Sequence, residues 1–248
     1  MKIGVFDSGV GGLNVLKELV KYHPNHHYIY FGDTLNVPYG SRCKDELLFL
    51  ADSIIQFLIN KKVDLIIIAC GTISSNIDEK FKEKYKVPIL DIISPTVDEI
   101  KKYKYNDVGL IATTMTIKSN VFADDIITKE CPYFVPIIEN NQINTPLCDA
   151  KIKEYLTPLK EQNIKKLVLG CTHYPLLEEK ILNFFNNNIE LINMGTVLAQ
   201  RLKLPIESNQ KIELYFSKIT DDLIFNVKNI IGINDIKQKV IVGDLENA

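Results

Sequence analysis

The stretch Lys166-Leu-Val-Leu-Gly-Cys171-Thr172-His173-Tyr174-Pro175 carries the pattern that decides the fold. Its apolar, branched run stops at a glycine, and a thiol, a hydroxyl and an imidazole follow at once. Such a run is typical of a buried parallel strand, and open α/β sheets bind ligands at the carboxyl ends of their strands. A second copy, Leu65-Ile-Ile-Ile-Ala-Cys70-Gly71-Thr72, lies upstream. We therefore predict two buried strands that each end in a cysteine.

The composition is that of an ordinary globular protein and excludes several classes of function. The chain has 248 residues, 46% of them hydrophobic and 24% charged, which is enough for one large or two small domains. A formal net charge of −2 argues against nucleic acid as a partner. The apolar runs are strand-length, too short to span a membrane, and no signal peptide precedes the first strand. We predict a cytoplasmic protein that binds neither nucleic acid nor membranes.

The five cysteines do not form a disulfide or zinc pattern. They lack framework spacing and any Cys-x-x-Cys pair, and their odd number argues against disulfides in a reducing compartment. Cys171 and His173 are the one close pair of soft ligands, and nothing nearby completes a zinc site, so we predict no metal. Cys43, Cys131 and Cys148 are interpreted as structural.

Strands alternate with helices along the chain, which predicts an α/β protein with mainly parallel sheets. Apolar residues at a helical period predict a helix over Lys44–Asn60, and a further helix is expected from the Cys70 strand to about Lys86. Ser94-Pro95 is expected to cap the next helix. Near the C-terminus we predict a strand over Lys211–Phe216, a helix capped by Thr220 and a short strand near Val240, which return to the first half.

A weak repeat suggests two related halves. Val108 follows Ile3 by 105 residues, Tyr133 follows Tyr28 by 105, and Cys171 follows Cys70 by 101. On this basis we expect Tyr133-Phe-Val-Pro136 to match the strand at Tyr28. We predict two pseudo-symmetric α/β domains, 1–97 with 207–248 and 98–206, and an active site in the cleft between them. Such halves would place the two strand-end cysteines on opposite sides of one ligand.

The segment Asp7-Ser8-Gly9-Val10-Gly11-Gly12 leads into a helix, so its backbone N–H groups could hold a carboxylate or phosphate. Its glycines fit neither the dinucleotide-binding nor the P-loop spacing, which favours a carboxylate. Short hydroxyl side chains at or just past strand ends suit a small zwitterion. They are Ser8, Thr72, Thr113, Thr116 and Thr172.

Two opposed thiols can do what a single thiol cannot. One removes a Cα proton from one face and the other returns a proton to the opposite face, which inverts a stereocentre. His173 could exchange a proton with Cys171, and Asp7 could do so with Cys70. The alternative is structural, because buried cysteine is usually part of a core. Likewise, Asp33-Thr34 could be a turn, Tyr39-Gly40 a loop tip and Glu139 a solvated end of its segment.

At these residues the sequence resembles the glutamate racemases, cofactor-independent members of the aspartate/glutamate racemase superfamily. The resemblance rests on Phe-Asp7-Ser8-Gly-Val-Gly-Gly-Leu, on Gly32-Asp33-Thr34 with Pro38-Tyr39-Gly40, on Ala-Thr113-Thr-Met-Thr116 and on Gly170-Cys171-Thr172-His173. Phe-Val-Pro-Ile-Ile-Glu139 matches less sharply, and the likeness runs from residue 1 to about 217.

The resemblance implies two α/β domains, racemisation of L-glutamate and D-glutamate without a cofactor, D-glutamate supply for peptidoglycan, and a homodimer. It implies that Cys70 and Cys171 are the acid/base thiols, assisted by Asp7, His173 and Glu139. Carried over in the same way, the residues expected to hold the substrate are Ser8, Asp33, Tyr39, Gly40, Gly71, Thr72, Thr113, Thr116 and Thr172.

Gly71 departs from the family pattern, which typically has Asn between the cysteine and Thr72. We expect an active enzyme that is slower or holds water in the vacated space, because a lost hydrogen bond costs about 1–3 kcal/mol. Two other functions stay open: a racemase for another small amino acid such as aspartate, and a non-catalytic glutamate-binding or regulatory protein. A phosphatase is disfavoured, because no second Asp lies two residues after Asp7.

Overall fold

The computed structural model describes residues 1–207, 210–231 and 238–242 of the chain. The strands are β1 (Lys2–Asp7), β2 (His27–Gly32), β3 (Leu65–Ile68), β4 (Ile89–Asp91), β5 (Val108–Ala112), β6 (Ile127–Glu130), β7 (Lys166–Leu169), β8 (Glu190–Asn193), β9 (Lys211–Phe216) and β10 (Gln238–Val242). The longer helices are α1 (Gly12–Tyr22), α2 (Lys44–Asn60), α5 (Ile93–Ile100), α8 (Pro146–Glu161), α10 (Met194–Arg201) and α11 (Asp221–Ile231). The shorter helices are α3 (Gly71–Ser74), α4 (Glu79–Lys82), α6 (Thr114–Lys118), α7 (Phe134–Glu139) and α9 (Glu178–Phe184).

The strands form two sheets, and every described strand pair is parallel. The first sheet has the order β10-β9-β2-β1-β3-β4 and the second has the order β6-β5-β7-β8. The predicted α/β class with two parallel-sheet domains is confirmed. β9 pairs with β2, so the C-terminal segment returns to the first half as expected. The exact domain boundaries stay a prediction.

The strand registers support two of the three matches in the predicted repeat and correct the third. Ile3 pairs with Leu65, while Val108 pairs with Lys166, so the offsets of 105 and about 101 residues belong to equivalent positions. The expected strand at Tyr133-Phe-Val-Pro136 is wrong, because β6 ends at Glu130 and α7 occupies Phe134–Glu139. Its apolar residues bury one side of a short helix instead.

Two predicted helix boundaries are also corrected. The helix expected up to Lys86 is two short helices, because Asp78 accepts a hydrogen bond from the Phe81 N–H at 2.9 Å and caps a new start. Ser94 does not cap α5. The Asp91 carboxylate accepts from the Ile93 and Ser94 N–H groups at 2.9 and 2.7 Å, so the helix begins one residue before Ser94.

Helices from both halves pack together beneath the cleft. α10 contacts both α1 and α5, and a single apolar cluster continues from the first half into the second. Gly195 on α10 lets the two halves approach closely, since a Cβ there would lie 3.2 Å from the Val15 Cα of α1. None of the helices in the described ranges is both long and apolar enough to cross a membrane.

Candidate active site

Both strand-end cysteines line one cleft between the halves. Cys70 directly precedes α3 after β3, and Cys171 follows β7 by two residues. The cleft encloses about 520 Å³ of space, including the solvent at its mouth. Its walls are Ser8, Pro38, Tyr39, Gly40, Ser41, Cys70, Gly71, Thr72, Thr113, Thr114, Pro132, Val135, Cys171, Thr172 and His173. Ten predicted site residues are therefore brought together, while Asp7, Asp33, Thr116 and Glu139 lie behind the wall.

Cys171 is joined to an imidazole and a carboxylate. Its Sγ lies 3.7 Å from Nδ1 of His173, whose Nε2 lies 2.6 Å from Oε1 of Glu139. Burial lowers the pKa of His173, but its contacts with Cys171 and Glu139 outweigh burial and leave that pKa well above its ordinary value. Burial raises the pKa of Glu139, but the hydrogen bond and charge of His173, together with the Val10 N–H, leave that pKa below its ordinary value. The result is a charged His173–Glu139 pair that can hold a proton beside Cys171.

The glycine-rich segment 9–12 holds two carboxylates, but both belong to the protein. The N–H groups of Gly9 and Gly12 donate to Oδ2 of Asp7 at 3.3 and 2.9 Å, and the Val10 N–H donates to Oε1 of Glu139 at 3.2 Å. The expectation that these three N–H groups hold a ligand carboxylate or phosphate is therefore wrong. Because Asp7 is fully buried and Glu139 is half-buried, both carboxylates need these donors more than a solvated ligand would.

Two of these glycines also make room for the second half. A Cβ at Gly9 would lie 2.3 Å from Oε1 of Glu139, and one at Gly11 would lie 2.4 Å from Nδ1 of His173. Any side chain at either position would displace the His173–Glu139 pair. The glycine-rich segment of the first half thus packs directly against the His173–Glu139 pair of the second half.

Cys70 has different neighbours. Burial and the charge of Asp7 raise its pKa, while hydrogen bonds from the Ile73 N–H and the Ser8 hydroxyl lower it by less. Asp7 is fully buried, and burial raises its own pKa against the opposing effects of His173 and the loop N–H groups. The Thr172 hydroxyl lies 3.2 Å from Oδ1 of Asp7, so the second half also holds this carboxylate.

The predicted substrate hydroxyls form a connected group. Oγ1 of Thr72 lies 3.0 Å from Oγ1 of Thr113, which in turn lies 3.0 Å from Oγ1 of Thr116. Thr72 and Thr113 line the cleft from opposite halves, whereas Thr116 is 1% exposed and stands behind them.

Tyr39 and Gly40 reach the cleft on the loop that follows β2. The Tyr39 hydroxyl donates to the Asp33 carboxylate, which also accepts from Ser217 at 2.6 Å and from Asn36. Asp33 therefore anchors the loop and does not touch the cleft. Gly40 abuts Thr113 of the second half, since a Cβ there would lie 2.8 Å from the Cβ of Thr113.

The expectation of vacated space at Gly71 is corrected. A Cβ at this position would lie 2.8 Å from the carbonyl oxygen of Gly170 and 3.3 Å from the Met194 side chain. The backbones next to Cys70 and Cys171 thus meet at two glycines. An asparagine at Gly71 would require one backbone to move.

Three apolar residues of the cleft were not predicted: Pro38, Pro132 and Val135. Pro132 lies two residues after the end of β6, and a position just past a strand end is the same signal that points to the other cleft residues. The sequence-based prediction leaves Pro132 out because it places the strand several residues later, at 133–136.

Comparison with known proteins gives a family for this chain. Residues 3–202 match the model of the family described as Asp/Glu/Hydantoin racemase. The glutamate racemase of Hydrogenobaculum sp. is 39% identical over 94% of this chain and 93% of its own length. The structure of the Francisella tularensis glutamate racemase in complex with D-glutamate covers 99% of this chain and 98% of its own, with 30% identity and a TM-score of 0.87. The Aquifex pyrophilus glutamate racemase covers 100% and 99%, with 34% identity and a TM-score of 0.82. With its parallel-sheet halves and its paired strand-end cysteines, the chain belongs to the Asp/Glu/Hydantoin racemase family and resembles its glutamate racemases along nearly its whole length.

Proposed function

We propose that this protein interconverts L-glutamate and D-glutamate by exchanging the Cα proton between two thiols. The observation that carries the proposal is that Cys70 and Cys171, one from each half, line the same cleft. The glutamate racemases to which the chain is similar support glutamate as the substrate.

The reaction begins when one cysteine, as thiolate, removes the Cα proton and leaves a carbanion. The other cysteine, as thiol, then gives its proton to the opposite face of the same carbon. The product has the opposite configuration, and the two thiols have exchanged protonation states. A second turnover in the same direction requires both thiols to return to their starting states through solvent or neighbouring groups.

His173 is positioned to exchange a proton with Cys171, because its Nδ1 lies beside the sulfur while its Nε2 is bound to Glu139. On the Cys70 side, burial and the charge of Asp7 raise the pKa of the thiol, while the Ile73 N–H and the Ser8 hydroxyl lower it by less. The Thr72 and Thr113 hydroxyls supply fixed polar groups for the bound zwitterion. Fixed dipoles of this kind stabilise developing charge without having to reorganise.

The decisive experiment follows deuterium at Cα. In deuterated water, L-glutamate incubated with the protein should give D-glutamate that carries deuterium at Cα, by mass spectrometry and chiral chromatography. Inversion without label would exclude exchange with solvent-equilibrated thiols. Binding of glutamate by calorimetry with no label in either enantiomer would instead indicate a binding protein.

Three further properties are part of the proposal. The family resemblance leads us to propose a role in supplying D-glutamate for peptidoglycan, a cytoplasmic location and a homodimer. Sedimentation equilibrium tests the dimer, and rescue of a D-glutamate-requiring strain tests the biosynthetic role.

A further inference from the structure

A row of five hydrogen-bonding side chains runs from the buried interior to the cleft. Asn76 contacts Ser75, Ser75 contacts Thr116, Thr116 contacts Thr113, and Thr113 contacts Thr72. The successive distances are 3.1, 3.4, 3.0 and 3.0 Å. Thr72 and Thr113 line the cleft, while Ser75, Asn76 and Thr116 are buried and do not. The row crosses between the halves twice.

Asn76 fixes one end of this row. Its Nδ2 lies 2.8 Å from the carbonyl oxygen of Thr72, and only the NH2 group of an amide can donate to a carbonyl. The same Nδ2 lies 3.1 Å from Oγ of Ser75. Since an amide NH2 donates and does not accept, the Ser75 oxygen must be the acceptor.

The proton of Ser75 then sets the order of the remaining bonds. Its Oγ lies 3.1 Å from the Thr72 carbonyl and 3.4 Å from Oγ1 of Thr116. The single hydroxyl proton can be donated to only one of these two acceptors at a time. The carbonyl already accepts from Asn76. If Ser75 donates to Thr116, then Thr116 donates to Thr113 and Thr113 donates to Thr72. In this order each hydroxyl accepts from the residue before it in the row and donates to the next, Thr113 also accepts from the Thr116 N–H at 3.4 Å, and the proton of Thr72 is left for the cleft.

We propose that Ser75 and Asn76 are positioning residues that make the Thr72 hydroxyl a hydrogen-bond donor to a carboxylate of the bound amino acid. This inference rests on the proposed function, since it assigns residues that prepare the substrate site. Neither residue touches the cleft. Ser75 and Asn76 act by fixing the donor direction of each hydrogen bond in the row. Removing either side chain should therefore weaken glutamate binding without moving Cys70 or Cys171.

The chain offers a matched pair of variants. Ser75→Ala removes the link between Asn76 and Thr116. Ser74→Ala removes the neighbouring buried hydroxyl, which donates to the Ile68 carbonyl at 3.2 Å and is outside the row. We expect Ser75→Ala to raise the KM for glutamate about three- to tenfold, the effect of about one hydrogen bond, with kcat changed less. Ser74→Ala should leave KM within about twofold of the native value.

A third variant tests the row at its middle. Thr116→Val keeps the shape of the side chain and removes the hydroxyl that links Ser75 to Thr113. Because Thr116 does not line the cleft, direct substrate contact predicts no effect, whereas the ordered row predicts the same rise in KM as Ser75→Ala. Thermal melting of each variant shows whether it is folded at the assay temperature.

Calorimetry with racemic glutamate separates this inference from the proposed function, because a racemic mixture undergoes no net reaction. Weaker binding in Ser75→Ala and Thr116→Val, but not in Ser74→Ala, supports the row even if the native protein fails to racemise glutamate. Equal affinities in folded Ser75→Ala and Ser74→Ala overturn it, as does a fall in kcat with KM unchanged. Native protein that binds no glutamate would overturn both proposals.

Discussion

The surroundings of Cys171 and Cys70 differ more than the two-fold arrangement of the halves suggests. Cys171 lies beside a charged imidazole that is held by the half-buried carboxylate of Glu139. Cys70 lies beside a serine hydroxyl, and the nearby charge of Asp7 opposes its ionisation. Each sulfur nevertheless follows a parallel strand of its own sheet and lines the same cleft. Symmetry of the backbone therefore places two equivalent atoms, while the side chains around them set separate proton-transfer routes.

This contrast also concerns electrostatics at the two faces of the substrate. On the Cys171 side the protein supplies the positive charge itself, through His173. On the Cys70 side the strongest charge acting on the sulfur is negative. We expect the ammonium group of the substrate to offset that charge when it binds. The two thiols should thus respond differently to the loss of their neighbours.

The largest expected effect comes from removing either thiol. Cys70→Ala and Cys171→Ala should each lower racemisation in both directions by at least about 10²–10⁴-fold, because inversion needs a proton donor on each face. Each variant should still exchange the Cα proton of one enantiomer with deuterated water, and the two variants should select opposite enantiomers. NMR of the Cα signal measures this.

Cys148→Ala is the matched control for these variants, since Cys148 is buried and lies outside the cleft. Full racemase activity in either active-site variant would contradict the two-thiol reaction. Exchange of the same enantiomer by both variants would show that the sulfurs do not face opposite sides of Cα.

The next effect concerns the proton on His173. Cys171 and Glu139 together raise the pKa of His173, and Glu139→Gln removes the second of these effects, so this pKa should fall towards its ordinary range. His173 then loses its proton as the pH rises through the lowered pKa. We expect kcat/KM to fall by about tenfold or more at pH 8 and by less at pH 6, as for the loss of one acid/base partner.

A pH profile of kcat/KM measures this change, with Glu130→Gln, an exposed glutamate, as the control. A parallel decrease at every pH would mean that Glu139 acts only on structure. An unchanged profile would separate His173 from catalysis on the Cys171 side.

A smaller effect is expected where the backbones beside the two cysteines meet. Gly71→Ala should destabilise the protein by about 1–3 kcal/mol, because its Cβ would lie 2.8 Å from the Gly170 carbonyl. Gly71→Asn adds the same Cβ and should lower kcat/KM rather than raise it. Urea unfolding measures stability, and Gly195→Ala, whose nearest contact would be 3.2 Å, should cost less. A stable, faster Gly71→Asn would show that the two backbones are free to separate.

The smallest effect should come from Ser8→Ala. The Ser8 hydroxyl lowers the pKa of Cys70, so its removal should raise that pKa further and reduce kcat/KM about two- to fivefold. The pH dependence of alkylation, measured in a Cys43→Ala, Cys171→Ala background, follows Cys70. Ser53→Ala, which removes a hydroxyl that donates to the Phe49 carbonyl on α2, should change neither quantity.

Features repeated in local sequence could be predicted, and features made by distant contacts could not. The strands that end at Cys70 and Cys171 are visible as apolar runs followed by polar residues, and their positions carry most of the site. Local sequence does not show which group the Gly9 and Gly12 N–H groups bind. Both donate to the carboxylate of Asp7, which needs donors because it is buried. The pairing of Glu139 with His173 joins segments that are 34 residues apart.

The wrong predictions also have physical causes. Tyr133-Phe-Val-Pro136 is as apolar as a strand, but Pro136 has no backbone N–H to donate to a sheet, and a short helix tolerates it in its first turn. Asp91 precedes Ser94 by three residues, and its carboxylate reaches the free N–H groups of the helix first. The sequence alone presents Gly71 as a missing side chain, because the position of Gly170 beside it is not visible in sequence.

The insertion of β9 beside β2 has a consequence for synthesis on the ribosome. The second sheet uses strands from one continuous stretch, β5 to β8, and can assemble once Asn193 has emerged. In the nascent chain, β2 lacks its neighbour until Phe216 is made, so the hydrogen-bonding edge of His27–Gly32 stays open meanwhile. Open edges of this kind invite pairing with other chains. A ribosome stalled between these two points should therefore hold a folded second half beside a first half that still needs protection from aggregation.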